Sequence, residues 1–171
     1  MRKHARYGPL DRYNPPPAAG MCLSTFAVLK KRGKVLAGIP RRHRRWTSEW
    51  VSSWRVYPKD ELAEVYRQTR LPATYIFESE HPDEALQRVM RGQLGIRRFS
   101  ASAPKVMSYN SPSDWYPRNL HWDLAFVYSV KTSEPLKGLP WWRELGFLDR
   151  QELRERDLGW NADFMRDLGL V

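Results

Sequence analysis

LPATYIFESEHPDEALQRVMRGQLGI, Leu71 to Ile96, is the stretch whose reading decides the fold. Thr74 to Phe77 is β-branched and aromatic, which suits a strand. Glu78 to His81 is a polar loop. Pro82 fits the first turn of a helix, where a missing N–H costs nothing. Asp83 and Glu84 put negative charge where the helix dipole favours it. Ala85, Leu86, Val89, Met90 and Leu94 then recur at helical spacing as one apolar stripe. Gly95 is the expected left-handed cap. The stretch therefore predicts a strand, a loop and an amphipathic helix.

The same residues resemble the Nudix box, the signature of the Nudix hydrolase superfamily. That pattern runs Gly, five residues, Glu, seven residues, then Arg-Glu-apolar-any-Glu-Glu-any-Gly-apolar. Here it ends on Gly95 and Ile96, with Arg88 on its Arg, Glu80 on its first Glu and Met90 on its apolar position. Four positions depart. Thr74 stands for the Gly, and Val89, Gly92 and Gln93 stand for the three helix glutamates. The resemblance implies an α/β fold, a Nudix-like α/β/α sandwich with a mixed β-sheet between helices. It speaks for that fold more strongly than for the chemistry.

In the family, glutamates at those helix positions hold Mg²⁺ or Mn²⁺ beside a diphosphate. Hard cations take oxygen ligands, preferably charged. Val offers none, Gly has no side chain and Gln supplies one neutral carbonyl. No cofactor is expected, and Mg²⁺ or Mn²⁺ belongs only to an enzymatic alternative. Glu80 and Arg88 are the retained box positions, and the resemblance gives them a supporting role. Their bland reading is a surface ion pair. The family also places an acid outside the box, which makes Asp123, with Glu80 and Glu84, a weak candidate for a displaced metal site.

Composition narrows the partners. The chain has 171 residues, 42% of them hydrophobic, enough for one domain with its own core. The net charge of +10 favours anionic partners such as nucleic acid or phosphorylated ligands. Its basic residues are 21 Arg and 8 Lys, and Arg suits planar phosphate recognition. A generally basic protein with no such ligand has the same balance. The single Cys22 precludes an intramolecular disulfide and is consistent with a reducing cytoplasm. No apolar run is long enough to span a membrane, and the N-terminus has no apolar signal core.

Residues 1–20 read as a basic, Pro-containing extension, packed on its own domain or laid on RNA or a partner. The Nudix-like domain covers 21–171. Ser24–Lys30 and Val35–Ile39 read as a hairpin, with Gly33 supplying the positive φ of its turn. AVLKKRGKVLAG also resembles the opening of a Nudix domain, so the resemblance extends loosely over about 150 residues. Arg41, Arg42, Arg44, Arg45 and Trp46 follow as the densest positive cluster, suited to pairing with phosphates and stacking on a base. The other reading is a solvated loop. Trp46, Trp50 and Trp54 have helical spacing, and Pro58–Tyr66 reads as a helix. Arg97–Met107 reads as a strand, Ser108–Asn119 as a loop, His121–Val130 and Trp141–Leu148 as strands. Arg150–Arg156 and Asn161–Leu168 read as helices.

The histidines and the cysteine lack zinc-ligand spacing. There is no Gly-rich phosphate loop and no nucleophile elbow. The leading expectation is a domain with a degenerate box that binds a nucleotide or RNA through Arg41, Arg42, Arg44, Arg45 and Trp46. The alternatives are a hydrolase of a nucleoside diphosphate derivative working through displaced acids, and a module that binds a protein partner or forms a homodimer.

Overall fold

The structure, a computed structural model, describes residues 6–7, 21–41, 66–77, 79–112, 120–137, 140–159 and 161–171. The strands are β1 (Arg6–Tyr7), β2 (Met21–Lys31), β3 (Lys34–Pro40), β4 (Ala73–Tyr75), β5 (Ser100–Ala101), β6 (Lys105–Pro112), β7 (Leu120–Lys131) and β8 (Trp142–Leu148). The helices are α1 (Pro82–Arg88), continued by a π turn over Val89–Gln93, then α2 (Arg150–Arg154) and α3 (Asn161–Asp167). The expected helix at Pro58–Tyr66 and the tryptophan spacing at 46, 50 and 54 lie outside the described residues.

β2 is the centre of a mixed sheet. One edge pairs in parallel with β7 from Met21↔Trp122 to Leu29↔Val130. The other edge is shared by β1, β4 and β3 in turn, all antiparallel. β3 leaves β2 after two pairs at the hairpin and runs on with β8. The chain at 70–75 enters the gap so formed: Arg70 bonds to Gly38 on one side, and Pro72 O accepts the N–H of Ala27 on the other. In this way the strand before α1 is inserted between two diverging strands. Arg6–Tyr7 of the extension pairs with Met21–Cys22.

Alternation along the strands fills two cores. Phe26 and Val28, Val35 and Ala37, Ala125 and Val127 face a cluster closed by Leu153 of α2 and by Phe164 and Met165 of α3. Ala27 and Leu29, Leu36, Tyr128 and Val130 face the other, closed by Leu86, Val89, Met90 and Leu94. Helices thus cover both faces of a mixed sheet, the sandwich expected from the sequence. At the hairpin tip Arg32 and Gly33 have φ of 50° and 77°. Consecutive left-handed residues match the twist of paired strands, and Gly33 takes that conformation without strain.

Two boundaries differ from expectation. Residues 97–99 are not a strand, because side chains take the backbone groups a ladder would use. Glu134 accepts the N–H of Arg97, and the Thr132 hydroxyl donates to Arg98 O. The strand instead starts at Lys105 and runs to Pro112, into residues expected to be a loop, because β7 offers partners that far. No helix among the described residues is long and apolar enough to cross a membrane.

Candidate functional site

Glu80 and Arg88 form the best-built polar constellation among the described residues. Arg88 Nε donates to Glu80 Oε1 at 2.9 Å, and Nη2 donates to Oε2 at 2.8 Å. The same guanidinium donates to Thr74 Oγ1 at 2.8 Å and to Tyr75 O at 2.7 Å. Its carbon lies 3.9 Å from the centre of the Phe77 ring. Glu80 in turn accepts the N–H of Phe77 at 2.8 Å, while its own N–H donates to Phe77 O. The side chains are only 20% and 4% exposed. This is not the surface ion pair that one reading allowed. The planar fork of Arg88 holds β4, the 77–80 turn and α1 together, a use that needs Arg and not Lys. Thr74 supplies an acceptor where the family pattern has Gly, so its departure from the pattern has a structural role.

α1 starts as its sequence dictates. Asp83 N–H donates to His81 Nδ1, and Glu84 reaches back to the N–H of His81 in a capping box. Tyr128 of β7 donates its hydroxyl to Asp83 Oδ1 at 2.5 Å. Burial, reinforced by that bond, holds the Tyr128 hydroxyl well above its ordinary pKa. The helix then widens into the π turn. It ends with Gly95 at φ 68° and the Ile96 N–H returning to Met90 O, the left-handed cap expected at that glycine.

The three positions that depart from the glutamates share this π turn. Val89 and Gln93 are fully buried. Gln93 Nε2 donates to Ala73 O at 2.6 Å, and Trp142 Nε1 donates to Gln93 O at 3.2 Å. Gln93 Oε1 is buried without a hydrogen-bond partner. Gln93 is therefore a tie between the end of the helix and β4, aimed inward.

The other acids are occupied separately. Glu84 serves the helix cap, and buried Asp123 accepts from Ser24 Oγ at 2.7 Å. No three His, Cys, Asp or Glu side chains are grouped as metal ligands among the described residues. Glu80 and Arg88 are brought together; Glu80, Glu84 and Asp123 are not.

Of the basic cluster, Arg41 is exposed and its N–H donates to Trp141 O at 2.8 Å. Arg42, Arg44, Arg45 and Trp46 lie outside the described residues. Trp141 precedes Trp142, the donor to Gln93 O. The start of the arginine run is thus fixed next to the strand that touches the end of α1. The roles of Trp142, Tyr128 and Thr74 were not read from the sequence, since each depends on a partner distant in the chain.

Comparison with solved structures identifies the architecture. The chain superposes on a MutT protein from Methanosarcina mazei Go1 with a TM-score of 0.60 and 13% identity, covering 87% of this chain and 93% of that one. This protein has the Nudix fold. A MutT Nudix hydrolase from Burkholderia pseudomallei is similar with a TM-score of 0.54 at 12% identity, over 88% of this chain and 98% of that one. An ADP-ribose pyrophosphatase from Streptococcus suis is similar with a TM-score of 0.50 at 13% identity, over 87% of each chain. Neither a family model nor a curated protein sequence matches the chain. The Nudix fold implies a divalent cation held by helix carboxylates. The residues at those positions do not fit one: two are turned into the core, and none of the three has a charged oxygen.

Proposed function

We propose that this Nudix-fold domain binds a nucleotide or RNA without hydrolysing it through its box helix. One observation carries the reading: Val89 and Gln93, on two of the three glutamate positions, are packed into the core. A carboxylate there would be buried without solvent or a counter-charge, which a folded protein avoids. The Glu80–Arg88 pair keeps the shape of the loop and helix after the chemistry has gone. A net charge of +10 and the run Arg41, Arg42, Arg44, Arg45 and Trp46 support an anionic ligand with bases to stack on. The anchoring of Arg41 to Trp141 supports a binding surface beside the end of α1.

The hydrolytic reading has its own support, since the proteins of similar structure include hydrolases. It would use Glu80, Glu84 or Asp123 as displaced ligands. Calorimetric titration with Mg²⁺ and Mn²⁺, followed by incubation with ADP-ribose, separates the two. Binding without hydrolysis predicts no stoichiometric metal site at micromolar concentration and no turnover. A tight site with turnover abolished by Glu80→Gln or Asp123→Asn would overturn it.

A further inference from the structure

A second cavity, of about 480 Å³, lies elsewhere on β2. It opens where β2 and β7 both end, beyond the carboxyl ends of the parallel pair, the position where open α/β sheets commonly receive ligands. β4 pairs with Ser24–Phe26, whereas the cavity is lined by Leu29–Lys31. At about 3.3 Å per residue, Lys30 is roughly 17 Å along the strand from Thr25.

Its chemistry is divided. Leu29, Val130 and Leu136 form an apolar floor continuous with the core under α1, and Phe147 of β8 adds an aromatic wall. Exposed Lys30 and Lys31 stand at the rim, with Lys31 Nζ 6.0 Å from the centre of the Phe147 ring. Neither lysine has an acidic partner among the described residues. Lys34, across the hairpin, has two, Asp149 at 3.3 Å and Glu152 at 3.2 Å. The only acid in the lining, Glu134, is held by the N–H of Arg97 and by Arg98 Nε. The rim is therefore net positive over an apolar and aromatic interior. Its size is within the range of small-molecule sites, and an interior of this kind suits a flat ring with a charged end.

We propose that this cavity binds a free mononucleotide, with its base against Phe147 and its phosphate between Lys30 and Lys31. The site does not depend on the reading of the box helix and uses none of the residues of the arginine run. Phosphate there has two ammonium donors and no competing carboxylate. The ring gains contact area that inorganic phosphate cannot.

AMP is the probe, titrated by calorimetry at low salt beside adenosine and inorganic phosphate. AMP is expected to saturate a single site, with adenosine and phosphate each at least tenfold weaker. A Lys30→Ala/Lys31→Ala double variant should lose at least tenfold in AMP affinity while melting at the parent's temperature. Phe147→Leu, which keeps the core volume without the ring, should weaken AMP but leave phosphate unchanged. An Arg41→Ala/Arg42→Ala variant should bind AMP like the parent. Absence of saturation would overturn the proposal. So would AMP affinity indifferent to the lysines, or phosphate as tight as AMP. If the arginine variant loses AMP and the lysine variant keeps it, the nucleotide occupies the surface beside α1, and this cavity is not its site.

Discussion

Arg88 and Glu80 are joined by two parallel hydrogen bonds, 2.9 and 2.8 Å, inside a loop that neither residue could order alone. The carboxylate side chain is 4% exposed, so removing its partner leaves a charge nearly cut off from water. Loss of one member of a buried pair costs about 3–5 kcal/mol. Arg88→Ala is expected to fall in that range in urea denaturation. Arg88→Lys should recover only part of it, because an ammonium cannot make the fork and reach Thr74 and Tyr75 as well. Equal stability of Arg88→Lys and the parent would mean that charge, and not the planar geometry, holds the loop.

The fold was legible in the sequence where local and tertiary demands agree. Pro82, Asp83, Glu84 and Gly95 announce the ends of a helix, and its apolar stripe announces the buried face. Lys31-Arg32-Gly33-Lys34 announces a hairpin. The residues 97–112 were misread because their pairing is set by Glu134, Thr132 and β7, none of which is close in sequence. At the site, the loss of the glutamates was visible, but not their replacement by packing. A valine or glutamine in an amphipathic helix is compatible with either face. Only the partners Ala73 and Trp142 show that Gln93 turns inward.

Tyr128 gives the protein an alkaline limit. Its folded-state pKa lies above the ordinary 10.0, chiefly through burial and then through the bond to Asp83. The folded state therefore holds this proton more tightly than the unfolded chain. The contribution is whole below pH 10.0 and is lost as pH rises beyond it. Tyr128→Phe should cost about 1.5–3 kcal/mol at neutral pH, the usual worth of a hydrogen bond to a charged acceptor. It should also flatten the fall in stability above pH 10. Melting curves between pH 7 and pH 11 check both effects. A parent and variant that lose stability in parallel would assign the alkaline limit to other groups.

The arginine run predicts a salt signature. If Arg41, Arg42, Arg44 and Arg45 contact phosphates, affinity for single-stranded RNA should fall linearly in log salt, with a slope near about −0.7 per phosphate neutralised. Replacing all four with Ala should flatten the slope, as measured by fluorescence anisotropy across a salt series. An unchanged slope would move the contact elsewhere, and a repeat with Lys3, Arg6 and Arg12 replaced would identify the N-terminal extension.

Restoring a box carboxylate tests how firmly the helix face is closed. Gln93 is fully buried and its amide donates to Ala73 O. In Gln93→Glu the ionised side chain would turn an acceptor toward that acceptor, with no cation beside it. Burying such a group without a partner costs several kcal/mol, so the variant should melt well below the parent at pH 7. Protonation supplies a remedy, since a neutral carboxyl can donate to Ala73 O as the amide did. Burial raises the folded-state pKa of the new group above its unfolded value. The folded state then binds more protons, and stability should fall as pH rises through the unfolded value and beyond. The variant is therefore expected to approach the parent near pH 4 and diverge from it by pH 7. Mg²⁺ should not close the gap, because a ligand stabilises only a state that can hold it, and this carboxylate faces the core. Val89→Glu should behave in the same way or fail to fold. Recovery of the Gln93→Glu melting temperature by micromolar Mg²⁺, with no change in the parent, would show that the π turn opens to a metal-accessible face. The proposal of binding without hydrolysis would then have lost the packing on which it rests.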